Sequence, residues 1–64
     1  MKIVQGLNMK TIFYLKERVI QQLELTYIPR IGELVRFDDE ESYFVKGVVY
    51  RYNRQCVAIH LKKA

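Results

Sequence analysis

Hydrophobic and polar positions in this chain alternate in short runs broken by compact turn signals. The clearest run is Cys56–Leu61, where Val57, Ile59 and Leu61 fall on one side and Cys56, Ala58 and His60 on the other. Such a period of two is the mark of a strand with one face on a core. Residues 43–53 read as a longer strand with Gly47 inside it. A glycine there suggests a bulge, which would let Val45 and Val48 both face inward despite their odd spacing. Leu34–Phe37 is a short strand, and Asn53-Arg54 is the turn before the last one. Ile28-Pro29-Arg30-Ile31-Gly32-Glu33 punctuates the chain. Proline fixes its own φ and biases the preceding residue towards extended geometry, while Gly32 is free to take a positive φ, so a sharp corner is expected.

The segment 10–28 supports two readings. As a helix, it places Ile12, Leu15, Val19, Leu23 and Tyr27 on one stripe. As strands, it divides at Lys16-Glu17-Arg18 into Thr11–Leu15, rich in β-branched and aromatic residues, and a second strand whose Val19, Leu23, Leu25 and Tyr27 share a face. The turn lacks the Gly or Asn of a tight hairpin. Equally, no capping box precedes Ile12, because Tyr14 stands where Glu or Gln would be needed. The first reading implies an α+β fold, one helix at about 12–27 packed on a three-stranded antiparallel sheet. The second implies an all-β fold, a small barrel of about five strands closing on itself to remove its edges. We adopt the all-β reading. Residues 1–8 are expected to be a flexible extension or a short edge strand, and residues 9–64 a single small barrel domain.

Three stretches, I-P-R-I-G-E-L-V, Y-F-V-K-G-V-V and C-V-A-I-H-L, resemble small bacterial and phage-type SH3-like barrel proteins over roughly residues 10–63. The resemblance implies the barrel fold and a binding role without naming a ligand. Some relatives' functions do not carry over. SH3 domains grip proline-rich helices on a shelf that includes a Trp, and this chain has none. The glycine pattern of ribosome-associated KOW barrels and the Asn-Gly loops of Sm-like RNA-binding barrels are also missing.

Size and composition narrow the classes. With 64 residues the chain is one domain, and a chain so short buries only about 60% of the surface it exposes unfolded. Half its residues are hydrophobic, too many for a disordered chain. A single cysteine, Cys56, rules out an intrachain disulfide, which favours a reducing, cytoplasmic setting. There is no apolar run long enough to span a bilayer, so no membrane role is expected. The net charge is +4 and unevenly spread. Asp38, Asp39, Glu40 and Glu41 form an acidic connection, whereas residues 42–64 carry Lys46, Arg51, Arg54, Lys62 and Lys63 with no acid. A basic third favours phosphate-rich partners or acidic proteins.

Catalytic chemistry has little to work with. Cys56 and His60 lie four residues apart on a strand, about 13 Å and beyond the reach of a thiolate–imidazole pair. Two such residues are too few for a tetrahedral zinc site. The acidic run lacks the spacing and glycine of a calcium loop, and Gly6, Gly32 and Gly47 are isolated rather than part of a phosphate-cradling loop. No catalytic residue, metal or cofactor is therefore expected. The best functional candidate is Val48-Val49-Tyr50-Arg51-Tyr52-Asn53-Arg54, where rings can stack on unpaired bases and guanidiniums can meet phosphates. Tyr50, Arg51, Tyr52 and Arg54, extended by Arg30, Arg36 and Lys62, form the candidate nucleic-acid surface. The bland alternative is that the tyrosines are packing groups with their hydroxyls at the edge. A separate functional reading is a protein–protein or assembly module that forms homo-oligomers, because so much of a small chain is apolar.

Overall fold

The computed structural model describes residues 8–64, so the expectation for residues 1–8 lies almost wholly outside the described residues. It is all-β, with five strands: β1 (Met9–Leu15), β2 (Arg18–Leu25), β3 (Leu34–Val35), β4 (Tyr43–Arg51) and β5 (Cys56–Lys63). They form one sheet in the order β2-β1-β5-β4-β3, curled into a half-barrel. The β1–β5 pair is parallel and the other three pairs are antiparallel. β5 takes the centre because it is the most continuously apolar run, and a strand flanked on both sides is best filled by such a run. Phe13, Val45, Val57, Ile59 and Leu61 form the buried core, with Met9, Leu25, Val35, Phe37 and Val48 packed around it. Phe37 meets Phe13 edge-on at 4.8 Å between ring centroids.

The helix reading of residues 12–27 is excluded. β1 and β2 form a hairpin whose turn is Lys16-Glu17 alone, and Arg18 already pairs with Leu15. Both turn residues have positive φ, 53° and 66°. This is the backbone of a two-residue turn whose twist matches that of the strands, here formed without the usual Asn-Gly. A further irregularity separates residues expected to lie together. The β1–β2 register shifts between Phe13 and Tyr14, leaving Ile20 unpaired. Val19 therefore lies opposite Tyr14 while Leu23 lies opposite Thr11, on the other face, and Val19 is 57% exposed.

The bulge expected at Gly47 is present, and the extra residue is Lys46. Val45 pairs with Leu61 and Gly47 with His60, so Lys46 has no partner. Val45 and Val48 both reach the core, as the odd spacing required. The last strand departs from simple alternation: Cys56 and Ala58 point to the outer face and yet are buried. Each is small and lies between longer side chains on neighbouring strands, Lys10 and Arg51 beside Cys56, Ile12 and Val49 beside Ala58. The remaining differences are at the ends. β3 stops at Val35, releasing Phe37 to turn into the core, and β4 stops at Arg51, with Tyr52–Arg54 forming one turn of 3₁₀ helix. Nor is the barrel complete: among the described residues β2 and β3 are the two sheet edges, with no ladder between them.

Candidate nucleic-acid interface

The corner at residues 27–33 shapes the first part of the site. Glu33 N–H donates to the Arg30 carbonyl at 3.0 Å, closing a turn in which Gly32 adopts φ 94°. A positive φ at this third turn position is costly for residues other than Gly or Asn. The turn is then fastened to β4, since Gly32 N–H donates to the Val45 carbonyl at 2.8 Å and Val45 N–H to that of Glu33 at 3.0 Å. Glu33 tightens the corner further: its carboxylate accepts from the Arg30 amide at 2.8 Å and the Tyr27 hydroxyl at 2.9 Å. These two bonds, the amide's first, hold the Glu33 carboxyl below its ordinary pKa, while the shared bond raises that of the Tyr27 phenol.

The corner carries Arg30 to the side of β4. Ile28, Pro29, Arg30 and Ile31 face Val48 and Tyr50 across a shallow cleft of about 470 Å³. At its end Tyr50 and Tyr52 stack, 5.9 Å between centroids and 12° from parallel. The rings are open to solvent, 45% and 78% exposed. Two open, nearly parallel rings, the first at a cleft that Arg30 also lines, offer an apolar π-surface at the same end of the sheet as a basic residue. Among the described residues one ion pair forms, Lys63 with Glu41 at 3.9 Å, so the Arg30 side chain is not tied to a carboxylate.

Of the seven residues marked in the sequence, the structure brings Arg30 and Tyr50 to one cleft and stacks Tyr52 on Tyr50. Arg51 pairs with Cys56 and so faces the side opposite Tyr50, whose partner is Val57. Arg54 is the exposed last residue of the 3₁₀ turn. Arg36 is drawn to the far end of β4, where its Nε donates to Ser42 Oγ at 3.1 Å. Lys62 pairs with Phe44, also at that end; six residues of strand put it about 20 Å from Tyr50. The acidic connection is used locally. Asp38 Oδ1 accepts from the Glu40 amide at 2.9 Å, and Glu41 accepts from the Tyr43 hydroxyl at 2.9 Å, which raises that phenol's pKa.

Four residues not marked in the sequence line one cleft on the outer face: Tyr14, Lys16, Lys46 and His60. The one signal for them was Gly47, since a bulge implies an extra residue beside it. No protein-family model matches this chain, and no curated protein or solved structure is significantly similar to it.

Proposed function

We propose that this chain is a non-catalytic module that binds single-stranded nucleic acid through the Tyr50–Tyr52 stack and Arg30. The exposed, near-parallel tyrosine pair carries the reading. Stacked rings left open to solvent give bases a surface that every base can use, and a neighbouring guanidinium supplies phosphate contact. The excess of basic residues in the last third raises the rate and strength of the encounter with a polyanion. The test is fluorescence anisotropy of a labelled single-stranded oligonucleotide. Binding should weaken steeply with salt, and Tyr50→Ala and Tyr52→Ala should each weaken it by about 5- to 100-fold, the value of one stacked base. Absence of binding by micromolar protein in low salt would refute the reading.

A second reading, self-assembly, is favoured by β2. It is an eight-residue edge strand with Val19, Ile20 and Leu23 exposed. Its outer edge, which no other described strand pairs, could pair with that of a second copy, although the bulge and the charges of Arg18 and Glu24 oppose this. Sedimentation equilibrium decides it, since a mass staying at 7.7 kDa at high concentration removes this reading.

A further inference from the structure

The two sharpest irregularities of the sheet meet at one place on its outer face. The Lys16-Glu17 turn holds two non-glycine residues at positive φ, and Lys46 is the unpaired residue of the β4 bulge. Both line a cleft of about 430 Å³ with Tyr14, Glu17, His60 and Leu61. Bulges re-aim side chains, and strained backbone persists where the surroundings enforce it. Here the outcome is two ammonium groups at one cleft, neither within 4.0 Å of a carboxylate, with Glu17 the single acid in the lining.

The floor of the cleft is aromatic. Tyr14 stacks on His60 with 5.3 Å between centroids and 18° between planes. On the other flank of His60 the paired residue is Gly47, which has no side chain. A Cβ added there would lie 3.6 Å from His60 Cβ and 3.8 Å from Cδ2. The imidazole is therefore covered by Tyr14 on one side and flanked by the bare Gly47 backbone on the other. An intervening cleft, lined by Ile31, Phe44, Lys46 and Lys62, shares Lys46 with this one and Ile31 with the Tyr50 cleft. The two aromatic pairs lie on opposite faces of the sheet, for Tyr50 pairs with the core residue Val57 while His60 points outward, and the shared residues Ile31 and Lys46 mark the way round the β4 edge between them.

We propose that the Tyr14–His60 cleft is a second nucleotide subsite, stacking one base against His60 over Gly47 and holding its phosphate between Lys16 and Lys46. The choice of ligand rests on the strand-binding reading above; the cleft's geometry does not. A strand bound at Tyr50–Tyr52 reaches this subsite only if it is long enough to pass round the β4 edge by Ile31 and Lys46.

The test compares oligothymidylates of about four and about twelve nucleotides, within the range of site sizes on small β-barrels. Wild type should bind the longer strand more tightly. Lys46→Ala should weaken that binding and lower the slope of log K against log salt by about 0.7, one phosphate contact on a single strand. Gly47→Val should fill the space beside His60 and weaken the longer strand about tenfold, the order of one stacked base. Both variants should bind the short strand as wild type does. If they also bind the longer strand like wild type, the subsite is refuted while the Tyr50–Tyr52 reading stands. If wild type binds neither strand, that reading fails. Amide NMR with adenosine monophosphate, adenosine and inorganic phosphate then decides the cleft. Shifts at Tyr14, Lys46 and His60 that are largest with the monophosphate support it, and their absence overturns it.

Discussion

Replacing Glu17 by glycine should stabilise this protein. Glu17 is the second residue of the β1–β2 turn and has φ 66°, in the left-handed region where Cβ crowds the following carbonyl oxygen. That crowding costs an L-residue about 1–2 kcal/mol and glycine almost nothing. Glycine brings an opposing term, since its more flexible unfolded chain loses about 0.5–1 kcal/mol more on folding. The strain relief exceeds the entropy term, leaving about 0.5–1 kcal/mol in favour of Glu17→Gly. In a domain of this size that corresponds to a rise in Tm of about 2–8 °C. Glu17→Val should act in the opposite direction by 1 kcal/mol or more, because a β-branched side chain is the least tolerant of positive φ. Urea unfolding followed by circular dichroism measures both, with the midpoint moving and the m-value constant. The reasoning fails if the valine variant is as stable as the glycine variant, for the turn would then not hold Glu17 at positive φ. Because Lys16 is retained, Glu17→Gly also leaves both lysines at the outer cleft.

Other expectations follow from the core and the corner. Phe13→Ala removes a ring that is 1% exposed and edge-on to Phe37, at a cost of about 3–5 kcal/mol, comparable to the whole stability of a chain this small; its far-UV spectrum at 25 °C should be largely that of an unfolded chain. Gly32→Ala meets no neighbouring atom within 4 Å but is forced to keep φ near 94°, so it should lose about 1 kcal/mol or more in urea unfolding through backbone strain alone. Glu33 has a lowered carboxyl pKa, so its contribution to stability is complete above the ordinary carboxylate range and is lost as pH falls through the lowered value. Between about pH 5 and pH 2 the wild type should therefore lose more stability than Glu33→Gln, and equal losses in the urea midpoint would contradict the assignment.

Local chemistry explains which parts of the fold were readable. The Pro29–Gly32 corner and the Gly47 bulge each rest on a residue whose backbone freedom is unusual, and both appear where those residues stand. The core positions of β5 were legible because their period of two persists for a whole strand. The β1–β2 turn was less so, because Lys16 and Glu17 carry no turn signature and take positive φ only under the constraint of the paired strands around them. Val19 was misplaced for a related reason: the bulge at Ile20 depends on strand pairing, and one unpaired residue reverses every facing after it.

The site divides in the same way. Tyr50 and Tyr52 were legible as a pair because residues two apart on a strand share a face, and they stack even though Tyr52 lies just past the strand's end. That Arg30 joins them, while Arg36 and Lys62 lie at the opposite end of β4, depends on where the corner docks and on the ladder register. The Tyr14–His60 cleft is a product of topology altogether, since residues 46 positions apart in sequence become neighbours only through the parallel pairing of β1 with β5. By itself the sequence determined the strand character from Leu34 onward, the corner, the bulge and the basic, aromatic chemistry available to a polyanion, because each depends on residue type and near neighbours. Tertiary structure alone decided the strand order, the open sheet edges and which cations stand beside which rings, because these depend on pairings between segments distant along the chain.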